Sequence, residues 1–380
     1  MKISILSFNL SNNGLGRAYL LAEVLSRRYE VEIIGPVYED EGIWPPLKDA
    51  KIKMRSVPLC RFPKFFRSIR DMLRMIDGDV IYAIKPRPTS FGIGLIKKLL
   101  TKKPLVLDID DLEEAFTNSR RPPLRHPDSL FYLRVVRNFV RYADEITTVS
   151  EYLRNAYGVK GITVLHGRNT EVFNPDLFDP IEQKTGFNLQ DSKIIAFLGN
   201  PISHKGIEDI VEAIKLIKDR GIKLVISGAS NKTIERLIRE NPDMVVYLGI
   251  TDFDGVPKIL SMADMVVLPQ RNEPEAYGQV PMKLFDAMAM AKPIISTNIS
   301  EMPKILDGCG LIVEPGDVAA IAEKIRYILD NPDEARAMGR AAREKCKKYY
   351  SYDAMEAELL KVFGQYEKAS AGNRGTKNNG

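Results

Sequence analysis

Short apolar runs alternate along this chain with longer stretches in which apolar residues recur every three or four positions. In the first half the runs are KISILSF (2–8), VEIIGP (31–36), VIYAIK (80–85), PLVLDID (104–110), EITTVS (145–150) and ITVLHG (162–167). In the second half they are KIIAFLG (193–199), KLVISG (223–228), VVYLG (245–249), MVVLP (265–269), PIIST (293–297) and GLIVEP (310–315). Each is rich in β-branched residues and bounded by Gly, Pro, Asp or Asn, as buried parallel strands are. Helical patterns lie between many of them. In GIEDIVEAIKLIKDRG (206–221), Ile207, Ile210, Val211, Ile214 and Ile217 share one face and Gly221 is the stop. Strand–helix alternation on both sides of the middle predicts α/β architecture, with two Rossmann-like domains facing across a cleft. The polar, Pro-bearing stretch after Phe173 reads as the break. The expected domains are 1–173 and 191–350, with a linker at 174–190. A last helix, 351–367, is expected to pack back on the first domain, and the Gly-rich tail 368–380 to be disordered. Open α/β sheets bind ligands at the carboxyl ends of their strands, so the chemistry is sought in the loops that follow strands.

Composition narrows the classes. With 380 residues, 44% hydrophobic and 28% charged, the chain fits a soluble globular protein of two domains. Cys60, Cys309 and Cys346 are too scattered for a disulfide framework. His126, His166 and His204 form no ligand pair, so no protein-built metal site is expected. The first run is too short for a signal peptide and is followed by turn residues. No run approaches the roughly 18 apolar residues that span a bilayer, and a cytoplasmic protein is expected. No nucleic-acid partner is expected.

Charge changes the picture in one place. Residues 51–107 hold 14 basic and 3 acidic residues, a net of +11 in a chain whose total is +5. Within that block Phe62, Phe65, Phe66, Ile69, Met72, Leu73 and Ile76 fall three and four apart, with Arg61, Lys64, Arg67, Arg70 and Arg74 between them. Lys97, Lys98, Lys102 and Lys103 add a second cluster. The pattern fits a basic amphipathic helix resting on an anionic membrane, peripheral on the inner face of the cell membrane. It fits equally an ordinary helix that buries its apolar face on a sheet.

Three loops carry candidate chemistry. In NEPEAYGQVPMKLFDAMAMAKPIIST (272–297), Pro281 stands where a helix would start. The amides of Tyr277, Gly278, Gln279 and Val280 would then point off a helix N-terminus, a diphosphate site. Glu275 can accept sugar hydroxyls, and Asp286 two ribose hydroxyls. The plainer alternative makes Glu275 a helix-dipole partner and Asp286 a salt-bridge mate of Lys283. In FLGNPISHKGIED (197–209), Lys205 can reach a phosphate or remain an exposed loop lysine. In SNNGLGRAYL (11–20), Gly14 and Gly16 permit close backbone approach at the start of a helix. A dinucleotide reading of that turn is weak, because Tyr19 stands where a third glycine belongs and no acid ends the second strand.

Together these loops resemble those of the retaining glycosyltransferases of family 4, of GT-B fold, over nearly the whole chain. The resemblance is carried by NGLGRA, ADEITTVSEYLR (143–154), VLHGRNTEVFNP (164–175), LGNPISHKG and, above all, EAYGQVPMKLFDAMAMAKPII. It implies transfer of a sugar from a nucleoside-diphosphate sugar to a sugar or lipid-linked acceptor with retention of configuration, and without metal or cofactor. Glu275 would then contact the donor sugar, Asp286 the ribose, Lys205 the diphosphate, and the first glycine turn would close over the phosphates. Departures accompany it. Ten residues separate the two acids rather than seven, and Lys283 stands at the usual position of the second. Asn200 replaces the arginine of the Lys205 loop, leaving Lys283 or Arg17 to supply a second phosphate cation. In place of a histidine after the fifth strand stands DIDDLEE (108–114), so Asp110 or Asp111 would meet the acceptor or cap the next helix. Other classes that fit the scaffold are a nucleotide-sugar 2-epimerase and a non-catalytic tandem-Rossmann binding protein.

Overall fold

The computed structural model describes residues 1–38, 41–59, 65–116 and 130–375, with side chains to residue 367. Cys60, Arg61, Phe62, Lys64, His126 and the last residues, 376–380, lie outside it. The chain divides into two compact units, Met1–His166 with Met355–Gly380, and Gly167–Ala354.

The first unit is built on a seven-stranded sheet. Its strands are β1 (Lys2–Leu6), β2 (Glu30–Val37), β3 (Lys53–Pro58), β4 (Val80–Ile84), β5 (Leu105–Ile109), β6 (Glu145–Thr148) and β7 (Ile162–Thr163). All are parallel, in the order β3-β2-β1-β4-β5-β6-β7. Every residue of β4 and β5 is buried, which is why both read as unbroken apolar runs. One strand, β3, was not among the expected runs. It is polar in composition, KMRSVP, with a single buried residue, Val57, because it pairs on one side only. The helix Phe65–Met75 turns Met72 inward and lays Ile69, Leu73 and Met75 on the core, where Ile76 is also buried. Most of the apolar stripe considered for a lipid surface therefore faces the sheet, leaving Phe66 64% exposed. Lys97 and Lys98 are drawn inward too. Lys97 donates to the Leu73 carbonyl, and Lys98 to the Tyr142 carbonyl and Asp144.

The C-terminal helix runs Tyr352–Gly375, longer than the expected 351–367 and into the stretch expected to be a disordered tail. Its residues Leu359, Val362 and Phe363 are fully buried. Phe363 meets Tyr82 edge-on at 5.1 Å, and Arg28, just past the end of the helix Leu15–Ser26, grips Glu367.

The second unit carries a six-stranded sheet of β8 (Lys193–Leu198), β9 (Ile222–Ser227), β10 (Val245–Tyr247), β11 (Met265–Leu268), β12 (Ile294–Thr297) and β13 (Leu311–Val313). These too are all parallel, ordered β10-β9-β8-β11-β12-β13. The break lies at His166–Gly167, not after Phe173, because the second unit holds the intervening residues. Arg168 donates its amide to the Tyr350 carbonyl, and Arg343 donates to the Phe173 carbonyl at 2.7 Å. The expected linker is structured. Asp179 caps the helix Pro180–Gly186, and Lys184 pairs with Asp264 at 2.9 Å. Asp-Pro, read as a breaker, is here an N-cap followed by a first-turn proline.

In both sheets the strand order reverses once, between β1 and β4 in the first unit and between β8 and β11 in the second. That switch point is where doubly wound sheets receive ligands.

Candidate functional site

At the second unit's switch point two loops are locked together. After β8 the chain turns at Gly199 (φ +98°), makes a turn at Ser203–Lys205 and passes Gly206 (φ +65°) into the helix Ile207–Ile217. A Cβ on Gly206 would lie 2.0 Å from the Pro269 carbonyl oxygen, so only glycine lets the two loops approach this closely. The Arg271 amide donates to the His204 carbonyl at 2.9 Å, and its guanidinium holds Asp209 at 2.7 Å. Lys205 Nζ donates to Gln279 Oε1, which ties the lysine of one loop to the turn of the other.

After β11 a short turn, Pro274–Ala276, presents Glu275 half-buried. Its carboxylate bonds to none of the described residues. Gly278 (φ +74°) reverses the chain, and the helix Met282–Ala289 begins one position later than expected, with Pro281 as its cap. Of the four amides expected to face a ligand, two are used inside the turn. Tyr277 donates to the Pro274 carbonyl and Gln279 to that of Ala276, because the segment is itself a tight turn. The Val280 amide makes no such bond to the described residues. Asn200 lies half-buried beside Gly199.

Asp286 departs further from expectation. It does not pair with Lys283 and does not face outward for a ribose; it is 7% exposed and ion-paired with Arg168, itself 4% exposed. Burial pushes the Asp286 carboxyl up, and Arg168 opposes this. Lys283 is left without a hydrogen-bond partner among the described residues, its Nζ 3.9 Å from the centre of the Phe197 ring.

In the first unit, Gly14 caps the helix Leu15–Ser26, and a Cβ there would strike the Phe8 ring at 2.5 Å. Gly16 is buried on the same helix. Arg17, expected as a donor cation, is 3% exposed and engaged within the unit. It donates twice to Asp108, each at 2.9 Å, and to the Val164 carbonyl at 2.8 Å. Asp108 also accepts from Thr147 at 2.6 Å and Tyr82 at 3.2 Å, so the pair belongs to a satisfied buried network.

Asp110 and Asp111 follow β5 beside a residue that sequence reasoning passed over. Lys85 follows β4 with φ +68°, a left-handed conformation rare outside glycine, and is 6% exposed. Its ammonium reaches Asp110 at 3.1 Å, Glu113 at 2.9 Å, and Asp111. Arg87 also grips Glu113 and lies 4.5 Å from the Phe8 ring. Burial pulls Lys85 down, but the three carboxylates outweigh it and hold the ammonium well above its ordinary range. Burial raises the Asp110 carboxyl to about 7, with Asp111 and Asp108 adding to the rise and Lys85 opposing it. The ligand oxygens of Asp110, Asp111 and Glu113 lie within 4.8 Å of one another, close enough for a cation, and Lys85 supplies positive charge among them. The signal for Lys85 was Lys-Pro-Arg-Pro directly after a buried strand.

Comparison with known proteins places both units. Residues 14–165 match the model described as Glycosyl transferase 4-like domain, and residues 179–345 the model described as Glycosyl transferases group 1. An uncharacterized glycosyltransferase of Methanocaldococcus jannaschii is 28% identical over 238 residues, which is 60% of this chain and 62% of that protein. The capsular polysaccharide biosynthesis glycosyltransferase CapM of Staphylococcus aureus is 24% identical over 345 residues, 83% of this chain and 86% of CapM. The structure of HepE from Anabaena in complex with UDP-glucose superimposes with a TM-score of 0.78 at 15% identity, covering 96% of this chain and all of HepE. No helix among the described residues is long and apolar enough to cross a membrane.

Proposed function

The chain belongs to the family 4-type glycosyltransferases, of GT-B fold with two Rossmann-like domains, and from that premise we propose that it moves a sugar from a nucleoside-diphosphate sugar to a hydroxyl acceptor, with retention of configuration and without a metal. One observation carries the reading: the second unit's switch-point loops are joined through Lys205 and Gln279, and on the adjoining turn the carboxylate of Glu275 has no partner among the described residues. Lys205 and the start of the helix Met282–Ala289 supply positive field for a leaving diphosphate. Glu275 holds sugar hydroxyls.

In the transfer, the bond from the anomeric carbon to the donor phosphate oxygen breaks. The acceptor oxygen bonds to that carbon on the same face, and its proton passes to the departing phosphate oxygen. No enzymatic nucleophile is needed, so the protein contributes positioning and electrostatics. Asp110 and Asp111, ion-paired with Lys85, would then be the groups of the first unit that meet the acceptor. CapM's naming in polysaccharide biosynthesis favours a sugar acceptor.

A second reading makes that sugar acceptor lipid-linked, with the first unit resting on an anionic membrane. What supports this is that Phe66, Leu99 and Leu100 are exposed on the neighbouring helices Phe65–Met75 and Ile93–Thr101, the first of which also carries Arg67, Arg70 and Arg74.

A thermal-shift panel of UDP, GDP, ADP and their sugars tests the donor. A ligand that binds only the folded state raises the melting temperature. Sugar transfer from the stabilising donor, undiminished by EDTA, completes the test. No shift with any of them removes the reading.

A further inference from the structure

Lys283 occupies an unusual position for a lysine. It is in the first turn of the helix Met282–Ala289, and its ammonium nitrogen is buried with no hydrogen-bond acceptor among the described residues. Its Nζ lies 3.9 Å from the centre of the Phe197 ring and 3.4 Å from where a Cβ on Gly199 would be, so it stands directly against the turn that follows β8. The charged groups around it are Lys205 from that loop and Asp286 one turn along its own helix. Asp286 is already neutralised by Arg168. A buried ammonium with no acceptor is costly, and a ring face offsets only part of that cost.

We propose that Lys283 is the second cation for the donor's diphosphate, and that it takes up a proton from solvent as the diphosphate enters. The inference rests on the transferase reading above and adds the group that completes its phosphate site. Arg17, the other candidate, is closed into the Asp108 network of the first unit. Burial and the Lys205 charge push Lys283 well below the ordinary lysine range, and Asp286 pulls it back only in part. A diphosphate beside the amine supplies the acceptor and the negative charge that are missing, which favours the protonated form.

Calorimetric titration of the intact chain with UDP, GDP and ADP tests this in buffers of low and high ionisation enthalpy. At about pH 8 the terminal phosphate is ionised, its last pKa being roughly 6, so the ligand has no proton need of its own. The expected result is net proton uptake by the wild type, with an affinity that falls by up to about tenfold per pH unit as pH rises. Lys283→Met, which keeps the volume and removes the charge, is expected to bind more weakly and without that uptake. Binding with no buffer dependence, or equal uptake in Lys283→Met, overturns the inference and leaves the transferase reading standing. If none of the three nucleotides binds, both fall together.

Discussion

Arg168 closes on the carboxylate of Asp286 inside the second unit, joining residues 118 apart in the sequence. Both are buried, so the pair is a strut between the segment after His166 and the helix Met282–Ala289. Arg168→Ala leaves a buried, uncompensated carboxylate and is expected to cost about 3–5 kcal/mol in urea unfolding. Asp286→Asn is expected to destabilise in the same direction while the folded fraction still binds nucleotide. An Asp286→Asn protein of wild-type stability that binds UDP tenfold or more weakly would return Asp286 to the ribose.

The same pair marks what can and cannot be read from sequence. The six strands of the second unit are legible because each is a short apolar run, at the edges β10 and β13 as well as within the sheet. β3 is not, since KMRSVP sets Arg and Ser between its apolar residues and forms no such run. The loops after β8 and β11 are legible as a site because glycine, proline and lysine positions report local backbone demands. The buried ion pairs of Arg17 and Asp286 were hidden for a different reason. Their partners, Asp108 and Arg168, lie 91 and 118 residues away, and no local pattern encodes which distant charge will share a buried pocket. Lys283 was visible as an anomaly, a cation at the place of an acid, but its burial came only with the packing of Phe197 beneath it.

Glu275→Gln is expected to lower transfer by on the order of a hundredfold or more, with an unchanged unfolding curve. The side chain has no partner among the described residues, so its loss removes an interaction with substrate and none with the fold. Near-wild-type turnover in the folded variant would take the donor sugar away from Glu275.

Lys205→Ala is expected to weaken nucleoside diphosphate binding by about tenfold or more and to leave nucleoside binding little changed. A charge-assisted bond is worth roughly 1.5–3 kcal/mol and acts on phosphate, not on the base. Calorimetry with UDP and uridine, or with whichever base binds, measures the difference. Equal weakening of both ligands would make the Lys205–Gln279 bond a purely structural tie between the two loops.

Asp110 predicts an acid-side stability profile. Its carboxyl is raised from the ordinary 3.8 to about 7, chiefly by burial. Between those values the folded chain keeps a proton that the unfolded chain has released, so this group's contribution falls as pH rises from about 4 to about 7. Asp110→Asn carries no titrating group and lacks that slope. The melting temperature of the wild type is expected to drop relative to Asp110→Asn across this range, at about 2–4 °C per kcal/mol for a unit of this size. Parallel profiles for the two proteins would show that Asp110 is ionised throughout.

The surface of the first unit predicts membrane binding by a smaller patch than the sequence suggested. With Met72 and Ile76 buried and Ile69 and Leu73 packed on the core, the apolar contacts left are Phe66 at 64% exposure, Leu99 at 71% and Leu100 at 70%. Lys98 is tied to Asp144 and Arg67 and Arg70 share Asp71, but the side chains of Arg67, Arg70 and Arg74 are all exposed. Three such cations near an anionic leaflet contribute about 1 kcal/mol each, so Arg67→Ala, Arg70→Ala and Arg74→Ala together should weaken binding by on the order of a hundredfold. Leu99→Glu with Leu100→Glu should act similarly without disturbing the core, because both side chains already face water. Sedimentation with anionic and neutral vesicles at low and high salt is the measurement. Binding confined to anionic vesicles, weakened by salt and by either set of substitutions, is the expected pattern. If the wild type stays in solution with anionic vesicles at low salt, the +11 block of residues 51–107 serves only to solvate the helices outside the sheet, and the acceptor is a soluble one.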